Sequence, residues 1–427
     1  MHKEDVALSL KLYHEAVNPA RFEVLRSAGG PLAFASARGT WLEDFNGQHF
    51  LDMVAGYGAA TLGHRHPEVV AALQNAISSG LPFNYPSSVP ALAGELAGKL
   101  CDLAGRNLRK VYFGNSGAEG IEAALKFAMA RTGRGKFLSF SEAFHGLTLG
   151  ALSLVGAEHF KSPFSSLGVD AERIEFGDLA RLEHCLKGVP VAGVILELIQ
   201  GMGGARPWQM EKLSELSALC RRHGATLIID EVLTGVGRTG KWFAFHHTGD
   251  DFAPDIVVAS KGLTGGVIPM CAVMMTDEVY DSVFSGPGRA GIHASTFEGN
   301  LLAMKVGLTV IRVIEENDLL ARITSLGNIF KQRLTAMRES GSGIKDVRGL
   351  GLLIGFRVAH ELFKSETLWG AAGCQHHLLK RNVITSLAAQ SPSYINLTPA
   401  FTLTDADMEL FFTRLDGSLL KGAGMQE

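Results

Sequence analysis

Six short apolar runs punctuate the middle of the chain: KVYFGN around Val111, KFLSF around Leu138, VAGVILEL around Ile195, ATLIIDEV around Ile228, DIVVAS around Val257 and CAVMMT around Val273. Most are apolar on both faces, the pattern of strands buried between two layers of helix in a largely parallel sheet. Helical periodicity fills intervals between them, over 119–131, 210–223 and 298–316, and the last of these continues toward Glu339. Such an alternation constrains the chain to an α/β core. Near residue 340 the pattern changes: GSGIKDVRGLGLLIGFRV reads as a turn and two strands, followed by a helix over 368–380 and a terminal helix from Asp405. The expected organisation is an N-terminal segment, 1–60, that contributes to a smaller α+β domain and to the mouth of the active site, a large domain, 61–315, and a C-terminal small domain, 316–427. The helical stretch after Gly299 is expected to connect the two lobes rigidly.

Charge narrows the partner. Forty basic against 43 acidic side chains leave a net charge of -3, so there is no concentrated excess of Lys and Arg to neutralise a nucleic-acid backbone. No stretch approaches the ~18 uncharged apolar residues of a membrane span, and the first residues, MHKEDVALSLKLYHEAVN, interleave charges with apolar positions rather than forming a signal-peptide core. The five cysteines (Cys101, Cys185, Cys220, Cys271, Cys374) are widely spaced, with no CxxC pair and no zinc-ligand spacing. They read as reduced thiols in a cytoplasmic protein without a metal centre. The expected partner is a small molecule. Glycine, at 50 of 427 residues, exceeds its usual ~7% share without any collagen-like period, and many of these glycines directly follow the apolar runs.

The ends of those runs carry the chemistry. ATLIIDEV closes on Asp230 and Glu231, followed by Gly235, Gly237, Arg238 and Gly240, and DIVVAS is followed by Lys261 and a further glycine cluster. In open α/β sheets ligands bind beyond the carboxyl ends of strands, which puts an acid and a lysine at one site if the two strands are neighbours. A desolvated lysine of lowered pKa forms a Schiff base with an aldehyde. A carboxylate beside it can keep a pyridine nitrogen protonated, the pairing that a pyridoxal phosphate enzyme needs. The run Gly114-Asn115-Ser116-Gly117-Ala118-Glu119 lies between a strand and a helix, where unpaired N–H groups and the positive helix end can receive a phosphate. Phe144-His145-Gly146 follows another strand and offers an aromatic ring to stack on a flat cofactor.

These motifs, together with Glu197-Leu198 and Gln200-Gly201, Ser295-Thr296, Gly299-Asn300, Gly63-His64 and Thr398-Pro399, occur in the order and spacing of the class III aminotransferases, and the chain resembles that family over nearly its whole length. The family holds ornithine, acetylornithine and 4-aminobutyrate aminotransferases, with glutamate-1-semialdehyde aminomutase and several amino-acid racemases as relatives. The resemblance implies fold type I of the pyridoxal phosphate enzymes, with a mixed, mostly parallel seven-stranded sheet, and a homodimer whose active sites lie at the subunit interface. Lys261 then resembles the Schiff-base lysine and proton shuttle, Asp230 the partner of the pyridine nitrogen, and Val232 and Phe144 the residues on the two ring faces, with His145 beside Phe144. Ser116, Gly117 and Ala118 resemble the phosphate cradle, completed by Thr296 of the second subunit, and Glu197 resembles the acid that lies near Asp230. Tyr57 matches a substrate-pocket tyrosine of the ornithine group.

Three departures bear on substrate. Glu197-Leu198 stands where many members have Glu-Pro, and Leu233 stands where many have a glutamine that donates to the cofactor's phenolic oxygen. The third is a pair. Members acting on ornithine, acetylornithine or 4-aminobutyrate carry a glutamate and an arginine that form a switchable ion pair, the arginine clamping a substrate carboxylate. Here Met202 and Asn396 occupy those positions. Both charges are missing together, so the expected substrate either lacks an α-carboxylate or has it bound by another cation, for which Arg206 and Arg289 are the candidates. The expected activity is an aminotransferase working by two half-reactions, with an aminomutase or racemase on the same fold as the alternative.

Overall fold

A computed structural model describes residues 3–85, 87–363 and 369–422. All six apolar runs become strands of one seven-stranded sheet: β4 (Lys110–Gly114), β5 (Lys136–Phe140), β6 (Asp170–Ile174), β7 (Val191–Leu196), β8 (Thr226–Glu231), β9 (Ile256–Ala259) and β10 (Cys271–Met275), in the order β4-β10-β9-β8-β7-β5-β6. Only β10 runs against its neighbours, pairing antiparallel with both β9 and β4. The strand that the apolar pattern does not reveal is β6, whose sequence DAERI is largely exposed or half-buried because it lies at the sheet edge.

Burial explains the uninterrupted apolar runs. Every residue of β7, β8, β9 and β10 is buried, since helices cover both faces, and a fully buried large aliphatic side chain contributes about 1.5–3 kcal/mol relative to exposure. One cover is α5 (Gly117–Thr132), which places Ile121, Ala124, Leu125 and Phe127 against β7, β8, β9 and β10. Another is α7, Met210–His223, with the bounds its periodicity predicts and a left-handed glycine, Gly224, closing it. The stretch after Gly299 differs from expectation. It is two helices, α9 (Leu301–Glu316) and α10 (Leu319–Glu339), separated at Asn317 and Asp318, where Asp318 takes a left-handed φ of 46°. A continuous hydrophobic period does not register a single residue leaving the helical region.

The N-terminal and C-terminal parts of the chain build on each other. Strands β1 (Phe34–Arg38), β2 (Trp41–Asp44) and β3 (His49–Asp52) form a small sheet closed by a strand from far along the chain, β13 (Val383–Ile384), which lies parallel to β3. A second sheet holds β11 (Ile344–Leu350), β12 (Leu353–Val358), β14 (Ser386–Ala388) and β15 (Ser391–Leu397), in the order β11-β12-β15-β14. The helix expected over 368–380 spans Gly370–Lys380, and Leu368 lies outside the described residues. The terminal helix, Asp405–Gly422, begins where expected.

Asp407, in the first turn of that helix, stitches the two ends together. Its carboxylate accepts from the Thr40 hydroxyl at 2.9 Å and from the Trp41 indole N–H at 2.9 Å, while Thr404 and Asp407 cap each other reciprocally through the Thr404 Oγ1 and the Asp407 carboxylate. Asp407→Ala leaves two inward-facing donors without acceptors and removes a cap, and should cost about 3 kcal/mol of stability. Urea unfolding followed by tryptophan fluorescence checks this; an unchanged midpoint would show that β1 and β2 do not depend on the stitch.

Candidate active site

The parallel register of β8 and β9 sets Asp230 opposite Val258 and Glu231 opposite Ala259. Lys261 follows two residues beyond, at the start of a 3-10 turn over Lys261–Thr264. The acid and the lysine that the sequence places at strand ends are therefore neighbours. Lys261 takes a left-handed φ of 35°, a conformation that a side chain bearing Cβ adopts at a cost and that is found mainly where the surrounding structure imposes it.

A cavity of about 190 Å³ opens beyond these strand ends, and Lys261, Asp230, Val232, Phe144, His145 and Glu197 all line it. So do Gly117, Ala118 and Met202. Leu233, Gly146 and Ser260 complete the wall. Ser260 is the lining residue that sequence reasoning does not single out; its hydroxyl donates to the Met270 carbonyl at 2.7 Å, and no motif or spacing marks it. Four expected residues lie outside the lining. Ser116 is exposed at the start of α5, where its hydroxyl caps the Glu119 N–H at 3.1 Å. Thr296 is exposed on a turn, its carbonyl held by the Asn84 side chain at 2.7 Å. Tyr57 is half exposed, and Asn396 is buried behind the wall.

Hydrogen bonds fix the acids. Asp230 accepts from the Val232 N–H at 2.9 Å on one oxygen and contacts His145 Nδ1 at 2.7 Å on the other. Glu197 accepts from the N–H groups of Phe144 and Gly201, each at 3.0 Å. Burial pushes the Glu197 carboxyl up to about 7, with Asp230 adding to the rise and His145 opposing it. Lys261 moves the other way: removal from water lowers its pKa, and the charges of Asp230 and Glu197 hold back part of that fall. The result is an amine that gives up its proton more readily than an ordinary lysine.

The N-terminus of α5, whose Gly117 and Ala118 line the cavity, presents its first N–H groups, which have no acceptor within the helix. Gly117 is required there by close packing, because a Cβ at this position would stand 2.8 Å from Val232 Cγ1. These features fit pyridoxal phosphate. A flat ring would meet Val232 and Phe144 in the lining, a basic ring nitrogen could pair with Asp230, a phosphate could take the α5 N-terminus, and an aldehyde carbon could react with the half-buried amine of Lys261. Among the described residues no group of side chains could hold a metal ion.

The far wall lacks a cation. Asn396 donates its side-chain N–H to the Gly201 carbonyl at 2.6 Å, next to Met202 in the wall. Neither candidate arginine lines the cavity. Arg206 pairs with Glu142 at 3.0 Å and lies over the Phe176 ring, and Arg289 donates to the Ser282 carbonyl. Beyond the wall, residues 55–58 form a turn in which Ala55, Gly56, Tyr57 and Gly58 all take positive φ values, 45°, 62°, 56° and 81°. For Ala55 and Tyr57 such a conformation costs ~1–2 kcal/mol each.

Comparison with known proteins agrees with this geometry. The sequence model of the family described as Aminotransferase class-III matches residues 26–419. Aminotransferase PigE of Serratia sp. (strain ATCC 39006) is 35% identical over 366 residues, which is 86% of this chain and 42% of PigE. The chain thus spans less than half the length of that curated relative. Among solved structures, an ornithine aminotransferase from Toxoplasma gondii superposes with a TM-score of 0.84 at 28% identity, covering 99% of each chain. An amine transaminase from an uncultivated Pseudomonas species, solved in its PLP-bound form, superposes with a TM-score of 0.82 at 25% identity, covering 95% of this chain and 97% of the other. The chain belongs to the class-III aminotransferases, the pyridoxal phosphate-dependent family that its strand-end acid and lysine point to.

Proposed function

We propose that this chain transfers an amino group from a primary amine that lacks an α-carboxylate to a keto or aldehyde acceptor, in two half-reactions, with an amine of biosynthetic origin as substrate. The observation that carries this reading is the neutral lining at Met202, with Asn396 behind it bonded to the Gly201 carbonyl. A substrate carboxylate needs a charge-assisted partner when it leaves water, and among the described residues Lys261 and His145 are the only basic side chains in the lining. His145 is already engaged by Asp230.

Bound pyridoxal phosphate would supply a protonated ring that accepts the electron pair of a carbanion. The protein's residues do the rest. Asp230, held at both oxygens by Val232 and His145, would keep the proton on the ring nitrogen. Lys261 would hold the cofactor at its aldehyde carbon and would move the proton at the substrate carbon through Nζ, whose lowered pKa makes it give up its proton more readily than an ordinary lysine. Val232 and Phe144 would pack on the ring, and Ser116, Gly117 and Ala118 would receive the phosphate. In a homodimer, Thr296 of a second copy completes the phosphate end, a reading supported by its exposure and by its absence from its own cavity.

The test is a panel of α-amino acids, terminal diamines and simple amines offered to the cofactor-loaded protein, with the cofactor's absorbance reporting conversion. Conversion by simple amines or diamines is expected, and a response confined to α-amino acids would overturn the reading. An isomerase would need no keto acid for turnover, so strict dependence on an added keto acid or aldehyde is also expected. Restoring the pair with Met202→Glu and Asn396→Arg should raise the rate of the glutamate half-reaction, whereas Asn396→Arg alone should destabilise the fold by burying an unpaired charge.

A pH profile tests the electrostatics. The Glu197 carboxylate raises the pKa of Lys261, so Glu197→Gln should let the amine deprotonate at lower pH. The acid limb of kcat, which reports the substrate-bound enzyme in which Nζ is free, should then move toward acid, and a limb that stays in place or moves to higher pH would contradict this coupling.

A further inference from the structure

Arg238 is a cation that the chemistry above does not use. Its side chain is 1% exposed and sits over the Phe401 ring at 4.6 Å, and none of the ion pairs among the described residues involves it. It spends its charge on backbone. Nη1 donates to the carbonyls of Pro399 at 2.6 Å and Leu352 at 3.1 Å, and Nη2 donates to the Gly58 carbonyl at 3.2 Å. The Arg238 carbonyl in turn accepts the Leu352 N–H at 3.0 Å. One side chain on the loop after Asp230 thus holds the left-handed turn 55–58, the residue that follows Thr398 just past β15, and the turn between β11 and β12.

The left-handed turn is tied down from its other end as well. Asp52 accepts the N–H groups of Val54 at 2.8 Å and Ala55 at 2.9 Å, and the Thr398 hydroxyl donates to the Val54 carbonyl at 2.7 Å. The turn also reaches the cavity. A Cβ on Gly58 would stand 2.6 Å from Leu233 Cδ1 and 3.6 Å from Arg238 Nη2, so Gly58, Leu233 and Arg238 pack as one unit and Leu233 is part of the wall. Runs of left-handed residues that include Ala and Tyr persist only where the surroundings over-determine them. Here the surroundings are Asp52, Thr398 and Arg238, and the residue they present is Tyr57, 51% exposed.

We propose that Arg238 is a positioning residue for substrate selection: it locks the left-handed turn 55–58 against Leu233, and so fixes Tyr57 and the wall that the amine's side chain meets. It acts through the turn and touches neither cofactor nor substrate. The proposal rests on the reading that places Tyr57 at the mouth of an amine pocket. Burial pushes the Arg238 guanidinium down to about 9, which leaves it protonated at neutral pH. The lock therefore does not switch in the range where the enzyme would work.

The test uses cofactor-loaded protein and two readouts. In Arg238→Lys, which keeps the charge but cannot reach three carbonyls, amide hydrogen exchange over 54–60 should speed up, while exchange in β8 and β9 and the cofactor's absorbance stay as in the parent. KM for the amine should rise about tenfold with kcat changed far less, the signature of lost positioning. Thr398→Val loosens the turn from its other end without touching Arg238 and should give the same two effects. In a Tyr57→Ala background, Arg238→Lys should add little to KM, because the residue it positions is gone. Unchanged exchange over 54–60 in both variants, or a KM effect that persists in full without Tyr57, would overturn the proposal. If the parent turns over no amine at all, the proposed substrate class fails, and the exchange readout still decides whether Arg238 holds the turn.

Discussion

Everything at the site depends on the parallel pairing of β8 and β9. In that register Ile229 meets Val257 and Asp230 meets Val258, so a carboxylate and the chain that delivers Lys261 emerge side by side from a fully buried part of the sheet. A one-residue slip would turn Asp230 to the other face and break the pairing of acid and amine. The apolar runs that make the strands also keep water from the site, and that dryness gives the charges their leverage. The strand core and the chemistry are therefore one arrangement: the burial that stabilises Ile228 and Val258 is the same burial that lowers the pKa of Lys261.

Buried charge has a cost that the chain meets unevenly. Asp230 has His145, and Glu197 has two backbone N–H groups and shares the cavity with Lys261. Glu231 has no cation. It turns away from the cavity, fully buried, and takes the Thr234 hydroxyl and the Phe245 N–H at 3.0 Å, while burial pushes its carboxyl up to about 7. Its folded pKa lies above that of an unfolded chain, so the folded state binds the extra proton. The stability this contributes is present at low pH and is lost as pH rises through about 7. In exchange Glu231 pins the 3-10 segment Ala244–His247 to the end of β8, and so shapes the loop that carries Val232, Leu233 and Arg238.

Much of this was legible in the sequence, for a physical reason. Strands buried on both faces are apolar without interruption, and parallel strands deliver ligands to their carboxyl ends, so Asp230, Lys261, Gly117 and Ala118 could be read from their positions after such runs as residues of one cavity. Edge strand β6 was not legible, because an edge is half solvated and its sequence, DAERI, resembles a loop. Nor could a period of 3.6 reveal Asp318 stepping out of the helix for one residue. Asp230 and Glu231 look alike in sequence, yet one faces the cavity and the other the core, since successive strand residues point to opposite faces. Ser260 and Arg238 act through backbone carbonyls, which leave no pattern in residue types.

The family resemblance puts Met202 and Asn396 where a glutamate and an arginine are expected, and on the proposed reading the absence of both charges is best understood as one event. An arginine at 396 would stand in a strand that is buried from Tyr394 to Leu397, and without an acid opposite it would carry the penalty of an unpaired buried charge. A glutamate at 202 alone, half-buried in the cavity lining, would meet a smaller penalty of the same kind. Removing both leaves the wall neutral and frees position 396 for another task, for which asparagine is suited: its N–H ties β15 to the Gly201 carbonyl at 2.6 Å, holding together two segments that the ion pair would have bridged. The replacement is not isosteric or fully satisfied, because the Asn396 Oδ1 is buried with no hydrogen-bond partner. A buried acceptor without a donor costs about 1–3 kcal/mol, and a fold that only needed to fill the space could have used an apolar side chain at lower cost.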